Sequence, residues 1–108
     1  MMQVVFYKTP AGNEPVRAWL KKQPKEERKE IGVELLKVQL IYPDAGMPLV
    51  EPIDKRLWAV RVSLRDHWAR VLFTVKNKTI ILLHGVMKKT NKLDRDDIEL
   101  AQDRLKDL

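Results

Sequence analysis

Arg61, Arg70, His84, Lys88 and Lys89 fall in a stretch of chain whose chemistry is one-sided: from Lys55 to Lys92 there are 10 Lys/Arg against 1 Asp/Glu, Asp66. Guanidinium and ammonium groups at that density collect phosphate, and an imidazole among them adds a group able to take or give a proton near neutral pH. These residue types suit an anion-handling site, one that gathers phosphate on cations. A single carboxylate is too few for metal-assisted phosphate chemistry, which usually holds its ions on several, so neither a metal nor any other cofactor is expected.

The charge is segregated along the chain. Residues 1–54 carry 8 basic against 8 acidic side chains and residues 93–108 carry 3 against 6, so the formal net charge of +6 is concentrated in the middle block. That is the electrostatic footprint of a phosphate-binding surface, with Lys55, Arg56, Arg65, Lys76, Lys78 and Lys92 as its wider contacts. A basic face that serves only solubility is the competing reading.

The positions of these residues depend on the elements that carry them. "MQVVFY" (2–7) is rich in β-branched and aromatic residues and reads as a first strand, closed by the turn-rich "KTPAGNEP". Asn13 is placed to cap a helix with Glu14 and Pro15 in its first turn and Val16, Trp19 and Leu20 on one face. Pro24 opens a second helix with Ile31, Leu35, Val38 and Tyr42 as its stripe, ended by Pro43. These two helices form an α-hairpin, and "DAGMPLVEPI" (44–53) reads as a loop. Strands follow at 57–64, 68–75 and 79–86, separated by the tight turns "RDH" and "KNK". Asp94 and Asp97 resemble a capping box for a last helix with Ile98, Ala101, Leu105 and Leu108 on its apolar stripe; Asp96, Asp97 and Glu99 favour the positive end of its dipole. The predicted order is β-α-α-β-β-β-α in one domain, residues 1–108: an α+β fold with a curved, mainly antiparallel sheet, an N-terminal α-hairpin and a C-terminal helix.

A turn centred on Arg65 and Asp66 sets Leu64 against His67 and Arg61 directly opposite Arg70. Trp58, Val60, Val62, Ala69, Val71 and Phe73 then make a core face, and the two arginines share the other as a paired phosphate clamp. Like charges across a ladder are unfavourable by roughly 0.2–1 kcal/mol, so the arrangement needs a compensating partner or a task. The competing reading has the arginines snorkel at the sheet rim or pair with acids of the last helix. The face of His84 depends on the loop at Asn77: an odd-length loop puts His84 with the arginines, an even-length one puts Leu83 and Gly85 there. A lone histidine in an apolar strand is more often a satisfied core residue than a catalyst. Lys88 and Lys89, past the strand end, are solvated unless the arginines share their edge.

Other features bound the protein. It has 108 residues and no cysteine, which excludes a disulfide framework and a thiolate zinc site. No apolar run approaches the ~18 residues of a membrane span, and the N-terminus lacks the pattern of a secretion signal. A cytoplasmic location without membrane partners is expected.

Leu57-Trp58 with Arg61, Arg70-Val71, His84-Gly85, Lys88-Lys89-Thr90 and the helix with Ile98, Ala101 and Arg104 together resemble the phage-derived, HigB-like branch of the RelE/ParE toxin superfamily. The resemblance covers about half the chain by motif and nearly all of it by element order, "VRAWLKKQP" of the α-hairpin included. It implies a RelE-like fold and the toxin of a type II toxin–antitoxin system: a metal-independent endoribonuclease that cuts mRNA on the ribosome and inhibits translation. It implies a cognate helix-turn-helix antitoxin as partner, besides mRNA and the ribosome. By residue type, Arg61 and Arg70 suit charge stabilisation, Lys88 or Lys89 suits charge stabilisation or, with a pKa lowered by neighbouring cations, proton transfer, and His84 suits acid or base. The tyrosine or histidine cluster of some RNA-cleaving relatives has no counterpart, since tyrosine occurs only at Tyr7 and Tyr42. Relatives of the ParE branch share the fold and poison DNA gyrase, so a gyrase-directed toxin and a non-catalytic nucleic-acid-binding module stand as alternatives.

Overall fold

The computed structural model describes residues 2–41, 49–90 and 92–108. Among these the elements run β1 (Gln3–Phe6), α1 (Pro15–Lys21), α2 (Lys25–Ile41), β2 (Val50–Asp54), β3 (Leu57–Ser63), β4 (Trp68–Lys76), β5 (Thr79–Lys88) and α3 (Arg95–Lys106). The strands form one mixed sheet in the order β1-β5-β4-β3-β2, with β1 parallel to β5 and the other pairs antiparallel. The fold is α+β, with three helices and five strands among the described residues, compatible with a RelE-like arrangement.

One strand more is present than the sequence suggests. Val50–Asp54, most of it inside the 44–53 stretch expected as loop for its two prolines and glycine, pairs with β3 as an edge strand. An edge tolerates proline because the donor it lacks can fall on the unpaired side of the strand, and here the register slips between Pro52 and Asp54. Tyr42, Pro43 and residues 44–48 of the expected loop lie outside the described residues.

The starts of α1 and α2 each shift by one residue. Glu14, not Asn13, is the cap of α1, with Pro15 at the first helical position where its missing N–H costs nothing. Asn13 instead closes the preceding turn, its N–H donating to Thr9 Oγ1 and its carbonyl accepting from Thr9 N. Pro24 precedes α2, and its carbonyl accepts the first intrahelical bond from Arg28 N.

Two cores lie on the two faces of the sheet. On one, Val60, Val62, Ala69, Val71 and Phe73 meet Val16, Ile31 and Val38 of the α-hairpin, with Trp19, Leu35 and Trp58 against them. On the other, Leu57, Ala59, Leu72 and Leu83 meet Ala101 of α3, with Ile98 and Leu105 beside it. Leu108, expected on that stripe, is exposed. The β3–β4 hairpin has the predicted register: Leu64 N donates to His67 O, and Arg61 pairs with Arg70.

Candidate functional site

The β4–β5 loop is even in length, yet His84 lies on the arginine face. Asn77 and Lys78 both have positive φ, 52° and 60°, making a tight two-residue turn with Lys76 opposite Thr79. That register continues to Phe73↔Leu82 and then jumps to Leu72↔His84, leaving Leu83 as the extra residue of a β-bulge. A one-residue slip exchanges the faces of everything beyond it. His84 thus joins Leu72 on the α3 side, and Gly85 turns to the hairpin side. There a Cβ on Gly85 would stand 2.3 Å from Trp19 Cε3, so only glycine admits this close approach.

Two acids of α3 receive this face. His84 Nε2 is 2.9 Å from Asp97 Oδ1, and Lys88 Nζ donates to Asp94 Oδ2 at 2.5 Å and forms an ion pair with Asp97 Oδ2 at 2.8 Å. Asp97 and His84 are mostly buried, at 13% and 14% side-chain exposure, whereas Asp94 is 70% exposed. Asp94 holds the N-cap position of α3 as expected, but neither acid closes a capping bond; the carboxylates point to the sheet instead. Burial pushes the Asp97 carboxyl up, and its bonds to Lys88 and His84 outweigh that, holding it below the usual range. Bonds to Asp94 and Asp97 raise the Lys88 ammonium above its ordinary value. The expected lowering by neighbouring cations is therefore reversed, because carboxylates and not other cations are Lys88's nearest neighbours. Lys88 is a fixed positive charge rather than a proton carrier at neutral pH.

The opposed arginines part company. Arg70 is 1% exposed and donates from Nη1 to Glu51 Oε1 at 3.0 Å, reaching across β3 to the unforeseen edge strand β2. Arg61 lies over the ring of Trp68, 5.5 Å from its centroid. The like charges are thus relieved by an acid on one side and an aromatic face on the other. The paired clamp is not presented as such: Arg61 remains the accessible member and Arg70 is a buried ion pair. Trp68 itself stands opposite Lys88 across β4 and β5, and the Arg61–Arg70–Val86 row lies between the rows of His84 and Lys88. Strand spacing puts the Cα of Arg61 about 12 Å from those of His84 and Lys88, within the span of one nucleotide step and its side-chain contacts.

The remaining cations divide between the two ends of the sheet. Arg65, Lys89 and Lys92 are exposed at the end that holds Lys88. Lys55 and Arg56, in the β2–β3 turn, and Lys76 and Lys78, at the β4–β5 turn, are exposed at the other, about 27 Å away along the strands. The basic block that is continuous in sequence forms two separate surfaces, because antiparallel strands carry successive turns to opposite ends.

Asp97, Asp94, Glu51 and Trp68 complete the site and were not expected there. A signal for the two aspartates exists: positions 94, 97, 98, 101 and 105 fall on one helical stripe, so whatever buries Ile98 and Ala101 also turns Asp94 and Asp97 toward the sheet. Nothing comparable marks Glu51, since its partner is two strands away.

No helix among the described residues is long and apolar enough to cross a membrane. No curated protein matches this chain. The model of the family described as "Phage derived protein Gp49-like (DUF891)" matches residues 18–106, which span α1 from Ala18, α2, the whole sheet except β1, and α3. The chain therefore belongs to the phage-derived Gp49-like family.

Proposed function

We propose that this protein is a toxin of a type II toxin–antitoxin system, of the HigB-like branch of the RelE/ParE superfamily, and that it cuts mRNA on the ribosome without a metal. The observation that carries the reading is the His84–Asp97–Lys88 chain, in which one buried carboxylate orients an imidazole and fixes a cation. The association of Gp49-like proteins with RelE-like toxins supports it.

With its Nε2–H donated to Asp97, His84 keeps Nδ1 as the basic nitrogen. Nδ1 removes the proton of an RNA 2′-OH, and Asp97 stabilises the imidazolium that results. The 2′-oxygen bonds to the adjacent phosphorus as the P–O5′ bond breaks, yielding a 2′,3′-cyclic phosphate and a 5′-hydroxyl protonated from water. Lys88 and Arg61 offset the charge gathering on the non-bridging oxygens. An incoming phosphate displaces the exposed Asp94 from Lys88 while Asp97 stays in place. A cognate helix-turn-helix antitoxin that covers this end of the sheet excludes RNA by volume and charge.

The test is purified protein added to ribosomes programmed with a defined mRNA. Cleavage within the coding region, lost in His84→Ala, is the expected result; intact mRNA overturns the ribonuclease reading. A gyrase-directed or purely nucleic-acid-binding role draws support from Lys55, Arg56, Lys76 and Lys78, whose exposed cations lie at the end of the sheet away from Lys88. Under that reading induced expression gives filamentation and a DNA-damage response, or no growth effect, with mRNA left whole.

A further inference from the structure

The bulge that turns His84 toward α3 leaves a backbone oxygen outside the ladder. Leu83 is the extra residue between Leu72↔His84 and Phe73↔Leu82, and its carbonyl accepts from Arg104 Nη1 at 2.7 Å. The neighbouring carbonyl, of Leu82, accepts from Tyr7 N at 2.9 Å as the chain leaves β1. Arg104 in turn lies over the Tyr7 ring, 5.8 Å from its centroid, and the Tyr7 hydroxyl donates to Asp107 Oδ2 at 2.6 Å. The two carbonyls at the turning point of β5 are thus held by an assembly built from the end of β1 and the last turns of α3.

We propose that Arg104 is a positioning residue for His84: by holding the Leu83 carbonyl it keeps the bulge that aims the imidazole at Asp97 and the RNA face. Three relations carry this. Without the slip at Leu83, strand alternation from the Asn77–Lys78 turn puts residue 84 on the hairpin side, where Trp19 already fills the space beside Gly85. A bulge carbonyl away from its ladder needs a donor, and a charged guanidinium supplies a stronger one than water at a half-buried site. The same helix presents both ends of the constraint, Asp97 receiving the imidazole and Arg104 receiving the carbonyl immediately before it in the chain. α3 therefore grips His84 by its side chain and by its backbone.

A merely structural Arg104 would anchor the end of α3 and leave the His84–Asp97 contact unchanged when lost. The two roles separate in Arg104→Met, which keeps the apolar stem over Tyr7 and removes the donor. In a His67→Asn background His84 is the one imidazole, and its nitrogen resonances report the Asp97 bond directly. The expected result is a folded protein whose His84 Nε2 resonance moves toward that of a free histidine, with partial recovery in Arg104→Lys. A folded Arg104→Met with an unaltered His84 spectrum overturns the proposal. Should that variant not fold, the wild type decides: the Arg104 Nη protons are expected to exchange slowly and to show contacts to Leu83, and free rotation like that of the exposed Arg65 overturns it. The catalytic arm rests on the ribonuclease reading and predicts a fall in kcat of about 100-fold with KM for RNA unchanged, the signature of a displaced reacting group. Wild-type protein that leaves RNA intact removes that reading, and the His84 spectrum still decides the positioning role.

Discussion

The imidazole of His84 and the carboxylate of Asp97 meet at 2.9 Å across the gap between β5 and α3, and they do so only because β5 slips by one residue at Leu83. Asp97 serves His84 and Lys88 together, so losing it leaves an imidazole and an ammonium group without a common partner. Asp97→Asn is expected to destabilise the fold by about 1–3 kcal/mol, the cost of leaving half-buried polar groups poorly matched. Urea unfolding measures it. On the proposed mechanism the same change abolishes mRNA cutting while RNA binding persists.

The Asp97–Lys88 pair also sets a pH window. The Asp97 carboxyl sits below its ordinary 3.8, so its contribution is full above that value and is lost as pH falls through the lower folded value. The Lys88 ammonium sits above its ordinary 10.5, so its contribution is full below that value and is lost as pH rises through the higher folded one. The coupling between the two, taken from a double-mutant cycle at a series of pH values, is expected to hold between these limits and vanish outside them.

Arg70 and Glu51 form the buried ion pair of the sheet. Arg70→Ala removes a buried guanidinium with its bonds and leaves a partly exposed carboxylate, so it is expected to cost about 1–3 kcal/mol, and Glu51→Ala to weaken the fold as well. Replacing both with apolar residues of similar size is expected to restore most of the loss. Melting curves of the two singles and the double distinguish this from a surface role, in which Arg70→Ala would melt like wild type.

Arg61 contrasts with its cross-strand neighbour. It rests on Trp68 with no acidic partner among the described residues, so Arg61→Ala is expected to cost only about 0.5–1 kcal/mol. If RNA phosphate is its partner in function, that variant folds, loses toxicity on induction and shows a shallower salt dependence of RNA binding. Full toxicity from folded Arg61→Ala would remove Arg61 from the site.

Gly85→Ala tests the packing that accompanies the bulge. The added methyl meets the Trp19 ring at 2.3 Å, and the indole or β5 must move. A loss of about 1–3 kcal/mol is expected, the usual cost of overpacking. Trp19→Leu in the same chain should recover part of it, read by thermal melting.

Much of this molecule is legible in its sequence. Turn residues and alternation place β3 and β4 in register down to Arg61 opposite Arg70, because a two-residue turn leaves a hairpin one face to bury. The helical stripes of α2 and α3 follow from apolar spacing, with Ile31, Val38 and Ala101 buried as that spacing requires. The basic block is plain from composition. What sequence alone determined is thus local: which segments are helix or strand, which face of each is apolar, and which residues carry charge.

Tertiary structure decided the rest. Alternation counted from the Asn77–Lys78 turn puts His84 on the wrong face, since a bulge is held by distant donors, Tyr7 and Arg104, that no local pattern announces. Arg70 is neutralised by an acid two strands away on an edge strand whose proline disguised it. The acids at the start of α3, which read as partners of the helix dipole, belong to His84 and Lys88 because docking α3 on the sheet brings its Ile98 and Ala101 stripe down with them. The single basic block became two surfaces at opposite ends of the sheet. Charge and periodicity are properties of neighbours along the chain; pairing and burial are properties of neighbours in space, and only packing fixes the second set.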